Sequence, residues 1–406
     1  MTSTVPPRGV SDPVVVDDGH LREAIGVFWR AMVGLPFSIF DVDDLQEPGR
    51  VLAVFDGKDV VGTANSYASS ITVPGGAELP HAAVTHVGVK ATHQRKGIAR
   101  ALLARQLECV RDAGDAVATL RASQPGIYER FGYGVATLAA EVVVDTRRAV
   151  YRQPRAGHVQ LREAQVDEVS DLCRRIYDVG SGRLPGTIKR SDAWWRAHLP
   201  TDPTGQHHFV VHGPRGREDG FVSFRPVGAE DWFHSKRRTV VVDDFVHRTD
   251  AAYFALLQHV IELDLVDRVV LPSLAVDDPI ADLLGDFRAV DTVAVRDETW
   301  LRLVDVPSAL AGRTYGDPGR VVIEVSDDLL PENEGRYLVT PEGVKRTDRE
   351  PDLSLDVAAL GAAYLGRPAW RGLALAGRVH VLTPGALEEA EHLFVTTRAP
   401  HSGTIF

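Results

Sequence analysis

The sequence predicts an α/β protein of mixed α+β sheets divided into more than one domain, and three observations carry that reading. The chain has 406 residues, roughly two to three times the usual size of one domain. Runs of β-branched residues alternate with stretches of helical periodicity throughout. An apolar strand followed by a long amphipathic helix occurs twice, at residues 84–110 and 240–265, the pattern of a diverged internal duplication.

In chain order, residues 18–34 carry apolar side chains at helical spacing (Leu21, Ile25, Phe28, Met32) and predict a helix. The segment RVLAVFDGKDVVG (50–62) places two β-branched runs around Asp56-Gly57, a strong hairpin signal. A strand follows at 83–89, a helix at 98–113 (Ile98, Ala101, Leu102, Leu107, Val110) and a strand at 117–120. A linker rich in Pro, Arg and Gly near residues 151–157 closes the first part. The second repeats strand, helix, hairpin, strand and helix. The last part, from about Trp300, predicts strands at 321–326 and 353–357, a helix at 358–365 and a final helix at 384–396. The predicted division is 1–154, 155–299 and 300–406.

Apolar residues make up 44% and charged residues 25% of the chain, and the mean hydropathy is -0.09, the balance of a folded globular protein. No stretch approaches the roughly 20 apolar residues of a membrane span, and the first residues lack an apolar leader region, so a cytoplasmic location is expected. The net charge of -11 argues against nucleic acid as partner and is compatible with cationic ligands. The two cysteines, Cys109 and Cys173, lie far apart in helical patterns and read as packed apolar residues, and no metal site is expected. His207, His208 and His234 lack acidic or cysteine partners at ligand spacing in the sequence and read as surface histidines.

The chemistry concentrates in two segments. VGVKATHQRKGIAR (87–100) joins a strand end, a polar turn with glycine and a helix start. At such a junction the unpaired amides of the first helical turn converge and the helix dipole adds positive potential, which suits a pyrophosphate. Gly97 allows close approach, and Arg95, Lys96 and Arg100 add charge. The second segment, RASQPGIYERFGYG (121–134), sets Tyr128 and Tyr133 in a glycine-rich aromatic turn after a strand.

The first segment resembles the pyrophosphate turn of the GNAT acetyltransferase family, and the second resembles the matching block of the enhanced intracellular survival protein family, as does ITVPG (71–75). The resemblance spans the whole chain. It implies two tandem acetyltransferase domains, the second degenerate, then a domain like sterol carrier protein whose C-terminus returns to the active site. It further implies acetyl-coenzyme A as co-substrate, bound by Val87, Gly88 and Val89 through the strand backbone and by Arg95, Lys96, Gly97, Ile98, Ala99 and Arg100 at the turn, with Ser123 and Gln124 touching it after the next strand. Tyr128 is implied as general acid and the α-carboxylate of Phe406 as base. Tyr133 and Phe131 read as packed. Phe28, Trp29, Phe37 and His86 lie on elements that line the family's acceptor pocket.

Acyl transfer to an amine needs the ammonium deprotonated, the oxyanion stabilised and the departing thiolate protonated. A phenol with an ordinary pKa of about 10 is protonated at neutral pH and suits the last task. The function implied is N-acetylation of primary amines, aminoglycoside-like polyamines or lysine side chains, by a homohexamer. The alternative is a lipid or sterol binder that uses the C-terminal domain on a non-catalytic scaffold. In the second part, VVVDDFV (240–246) continues into RTDAAYF (248–254) with no glycine turn and with acids where phosphate would sit, so no coenzyme is expected there.

Overall fold

The computed structural model describes residues 9–16, 19–33, 47, 49–152, 161–165, 168–179, 184–198, 207–228 and 232–406. These form two compact units, one of residues 1–137, 185–197 and 298–406, the other of 138–184 and 198–297.

The first unit holds two sheets. The larger is built from β1 (Val14–Val15), β2 (Val51–Asp56), β3 (Asp59–Thr72), β4 (Glu78–Val89), β5 (Val117–Leu120) and β6 (Gly134–Val135), with helices α1 (Leu21–Ala31) and α2 (Ile98–Asp112). The hairpin expected at Asp56-Gly57 is present. Gly57, at φ +62, occupies the first position of a two-residue loop, and Asp56 pairs with Asp59. β3 and β4 pair over most of their length. β4 and β5 are parallel and pair only from His81–Val117 to Ala83–Thr119.

The second unit has a sheet containing β7 (Leu138–Asp145), β8 (Leu161–Glu163), β9 (His208–His212), β10 (Gly220–Val227), β11 (Thr239–His247), β12 (Arg268–Ala275) and β13 (Val290–Asp297). Helices α3 (Val169–Asp178), α5 (Asp250–Ile261) and α6 (Ile280–Leu283) accompany it, whereas α4 (Asp192–His198) lies mainly in the stretch 185–197 of the first unit. The duplication read at residues 84–110 and 240–265 appears as β4–α2 and β11–α5, each followed by a parallel strand. The strand that begins at Trp300, β14 (Trp300–Leu303), inserts between β5 and β6 in the first unit's sheet, whereas β7 pairs with β12 and β13.

Beyond α7 (Val306–Ala311), the first unit's second sheet has the order β17 (Gly343–Arg346), β16 (Gly335–Thr340), β15 (Val321–Ser326), β18 (Leu353–Asp356), β19 (Val379–Val381). The strand expected at 353–357 ends one residue early, because the Asp356 carboxylate accepts the Ala359 amide and caps α8 (Val357–Tyr364). Two further helices, α9 (Trp370–Leu375) and α10 (Ala386–Phe394), complete a core filled by Tyr337, Tyr364, Trp370 and Phe394. A side chain at Gly134 or Gly361 would collide with the backbone carbonyls of Ala358 and Leu301, so these glycines let α8 press directly on β6 and β14.

His81 staples β4 to β5 where they still pair: its Nε2 lies 2.6 Å from Thr119 Oγ1, and its side chain is wholly buried. Burial, aided by the charge of Arg50, lowers its pKa to about 3. The folded protein therefore holds this imidazole neutral, while the unfolded chain protonates it near pH 6.5. Its contribution is complete above pH 6.5 and is lost as pH falls toward 3, at about 1.4 kcal/mol per pH unit. Denaturant titrations between pH 7 and 4.5 should show wild type losing stability more steeply than His81→Gln, and equal slopes would contradict this.

Candidate active site

Beyond Ala83 and Thr119 the two parallel strands diverge. β4 continues to Val89, paired with β3 along one edge and, among the described residues, with no strand along the other. A strand edge of this kind offers amides and carbonyls to an extended ligand. The register shifts between Thr85 and Gly88, where His86 takes φ +50, so a bulge redirects β4 at the point of divergence. Gly88 has a packing duty as well, because a Cβ there would meet the Phe28 backbone of α1 at 2.9 Å. Val87 and Val89 are partly buried under the core that α2 covers.

After β4, Gln94 is extended and Arg95 takes φ +60. Gly97, at φ +83, starts α2 with no side-chain cap, and the first intrahelical bond is Ala101 N–H to the Gly97 carbonyl. Ile98, Ala99 and Arg100 thus hold first-turn amides without intrahelical acceptors. Among the described residues nothing lies within 4 Å of a Cβ placed on Gly97, and Arg95, Lys96 and Arg100 are exposed, whereas Ile98 anchors the turn in the core. This turn fits a pyrophosphate in charge, access and donor supply.

The equivalent turn of the second unit does not. Thr249 caps α5 by accepting the Ala252 amide at 3.1 Å and donates to Asp219 at 2.7 Å, with Asp250 in the first turn. An anion would meet an occupied cap and two carboxylates.

Tyr128 is 5% exposed and shares an apolar cluster with Ala82 and Val84 of β4, Leu120 of β5 and Leu103 and Leu107 of α2. Burial raises its pKa, and a hydrogen bond from Ser123 works the other way. Ser123, which the resemblance places beside the coenzyme, is the residue whose side chain bonds the Tyr128 hydroxyl. Gln124 is exposed beside it. Tyr133 is fully buried, its ring 6.2 Å from that of Tyr128, and its hydroxyl has no hydrogen-bond partner among the described residues. Burial drives its pKa far upward. Phe131 is a core residue of the same cluster.

Phe406 packs against the cluster of Tyr67, Ala83 and Ala193. Because Ala83 and its neighbours Ala82 and Val84 point to opposite faces of β4, Tyr128 and Phe406 approach the divergence from opposite sides of the sheet. On the Phe406 side, Tyr67 lies 6.4 Å from the His86 ring, His86 meets Phe28 edge-on at 4.9 Å, and Phe28 meets Trp29 at 5.5 Å. Three of the four predicted acceptor-pocket residues are thus together, and Phe37 lies outside the described residues. Glu47, which accepts the Ala68 amide at 2.7 Å, adds a carboxylate near Tyr67.

Sequence reasoning missed what holds the tail. Arg121, Glu298, Arg190 and Trp194 all bond residues 401–405, and no local motif marks them. The paired histidines make ion pairs that sequence spacing does not show. His207 faces Asp243 of β11 at 3.5 Å and His208 faces Glu163 of β8 at 3.4 Å, partners supplied by other strands of the sheet rather than by sequence spacing. Among the described residues no group of three or more His, Cys, Asp or Glu could hold a metal ion. Cys173 is buried and Cys109 partly so, both as free thiols.

Replacing Gly97 by Asp should weaken acetyl-coenzyme A binding at least about tenfold, through strain at positive φ and like charge against phosphate. Unchanged affinity by calorimetry would remove the turn from the site.

Known proteins match this architecture along its length. Residues 29–136 and 186–303 each match a model described as an acetyltransferase (GNAT) domain, and residues 306–403 match a sterol carrier protein domain. The crystal structure of Eis1 from Mycobacterium abscessus superposes with a TM-score of 0.92 at 44% identity, covering 98% of this chain and 100% of that one. The N-acetyltransferase Eis of Mycobacterium tuberculosis is 32% identical over 354 residues, 84% of each chain. An uncharacterized N-acetyltransferase of Streptomyces avermitilis is 38% identical over 368 residues, 88% of this chain and 89% of its own. Two acetyltransferase domains ahead of a sterol carrier protein domain, in a chain that aligns with these enzymes almost end to end, make this protein a member of the Eis family of N-acetyltransferases, enzymes that use acetyl-coenzyme A.

Proposed function

We propose that the acceptors are primary amines on cationic molecules, aminoglycoside-like polyamines or lysine side chains, and that one centre at the divergence of β4 and β5 acetylates them. The observation that carries this reading is the placement of Tyr128 and Phe406 on opposite faces of that gap. The β4 edge at Val87, Gly88 and Val89 would pair with the extended arm of the coenzyme, and residues 95–100 would take its pyrophosphate, with Gln124 alongside. The aromatic side bearing Phe28, His86 and Tyr67, with Glu47 close by, would receive the amine.

In this reading the α-carboxylate of Phe406 draws the ammonium in and accepts its proton, directly or through water. An ordinary α-carboxyl has a pKa near 3.5, so attraction and positioning outweigh basicity in its role. The amine nitrogen attacks the thioester carbonyl carbon, the carbon–nitrogen bond forms and the carbon–sulfur bond breaks. Amides near Val87 face the developing oxyanion, Tyr128 hands its proton to the departing thiolate, and the second proton shed by the attacking nitrogen as the amide forms restores the phenol through water. Burial keeps that phenol protonated until then.

The reading divides the chain into a catalytic domain at 1–154, a degenerate one at 155–299 and a sterol-carrier-like one at 300–406, assembled as a homohexamer in the cytoplasm. The boundary at 154 lies outside the described residues, and no helix among the described residues is long and apolar enough to cross a membrane. A panel of polyamines, aminoglycosides and lysine peptides incubated with acetyl-coenzyme A tests it by thiol release and product mass. Acetylated cationic amines with matching thiol support the reading. Absence of thiol release across the panel, together with lipid retained by the C-terminal domain, would favour the lipid-binding alternative.

A further inference from the structure

The chain end is held by one buried carboxylate. Glu298 stands where the chain re-enters the first unit, and its side chain is wholly buried. Its backbone is fixed first: its amide donates to the Thr137 carbonyl at 3.0 Å, the Thr299 amide donates to Thr137 Oγ1 at 2.9 Å, and the Thr299 carbonyl accepts the Ala136 amide. The side chain then gathers donors from three stretches of chain. Oε2 accepts Thr137 Oγ1 at 2.9 Å and the Ser402 amide at 3.0 Å. Oε1 accepts Arg121 Nη2 at 3.0 Å and the Gly403 amide at 2.9 Å, with His401 Nε2 at 3.4 Å.

Two successive tail amides thus meet one carboxylate, and Gly403, at φ +64, turns the chain directly after them. Burial works to raise the Glu298 pKa, but His401, Arg121 and the two tail amides outweigh it and hold the carboxyl below its ordinary value. The carboxylate is thus charged and saturated. From this anchor the next carbonyls are taken in order: Gly403 by Arg190 Nη2 at 3.3 Å, Thr404 by Arg121 Nε at 3.1 Å, and Ile405 by Trp194 Nε1. Arg190 lies over the Trp194 ring, 4.1 Å from its centroid, which braces the last donor.

We propose that Glu298 is a positioning residue for acetyl transfer: it fixes residues 402–403 and thereby sets where the Phe406 carboxylate stands. The inference rests on Phe406 being the base. It separates anchoring, which Glu298 performs, from proton transfer, which it does not touch.

Glu298→Gln tests it. Each carboxylate oxygen accepts a tail amide, so either orientation of the glutamine turns its NH2 on one of them. The tail should lose its hold. Hydrogen exchange of the Ser402 and Gly403 amides should speed up, and kcat should fall about 10²-fold, as a misplacement of about 1 Å costs. The KM for acetyl-coenzyme A should not change, since the Gly97 turn is elsewhere. Gly403→Val, at an exposed position, strains the positive-φ turn that follows the two amides while leaving Glu298 intact. It should reproduce both effects with the Glu298 side chain unaltered, so the test survives if the Gln variant folds poorly. Unchanged exchange protection of Ser402 and Gly403 in both variants overturns the anchor and leaves the base assignment standing. Lost protection with full turnover overturns the base assignment and the positioning role with it.

Discussion

Tyr128→Phe is expected to lower kcat by about 10² to 10⁴ while leaving acetyl-coenzyme A affinity unchanged, because it removes the proton donor and nothing else. The ring keeps its place among Val84, Leu103, Leu107 and Leu120. Only the oxygen that Ser123 bonds is lost. Tyr133→Phe is the matched comparison. Its hydroxyl is buried without a partner among the described residues, so its removal should leave turnover intact and be neutral or slightly favourable to stability. Steady-state thiol release and thermal unfolding of the two variants decide the matter. Equal loss of activity in both would contradict the choice of acid within the pair.

Changes at Phe406 should be as severe. Residues added beyond it convert the α-carboxylate to an amide, which cannot take up the ammonium proton. Deleting it leaves the new carboxylate on Ile405, whose carbonyl oxygen is held by Trp194 Nε1. That group stays with the indole, about 3.5 Å back along an extended chain and out of hydrogen-bond range of the same nitrogen. Both variants should release less than about 1% of the wild-type thiol, the range expected when a general base is lost, yet bind acetyl-coenzyme A normally. A tag on the other end should be harmless. Full amine acetylation by the extended protein, shown intact by mass spectrometry, would contradict the role given to Phe406.

What the sequence made legible is local. The Asp56-Gly57 hairpin, α2 and the repeated strand-helix pair follow from turn chemistry and periodicity within a few residues. The Gly97 turn is legible for the same reason. Strand partnership is not local. β14 inserts between β5 and β6, and β7 pairs with β12 and β13, choices made by side chains over a hundred residues away. The bulge at His86 carries no glycine to announce it. Glu298 is one carboxylate among 56 acidic residues, with nothing around it in sequence to show that it meets residues 402 and 403. The family resemblance brought Phe406 to attention, and only the folded chain shows what holds it.

The claim on which the rest depends is that the first acetyltransferase domain alone holds the coenzyme, because Gly97 leaves the α2 amides open while Thr249 and two aspartates close those of α5. Calorimetric titration of the whole chain with acetyl-coenzyme A tests this most directly. The account predicts one site per chain, lost in Gly97→Asp. Two equivalent sites per chain, or one that survives that substitution undiminished, would contradict it.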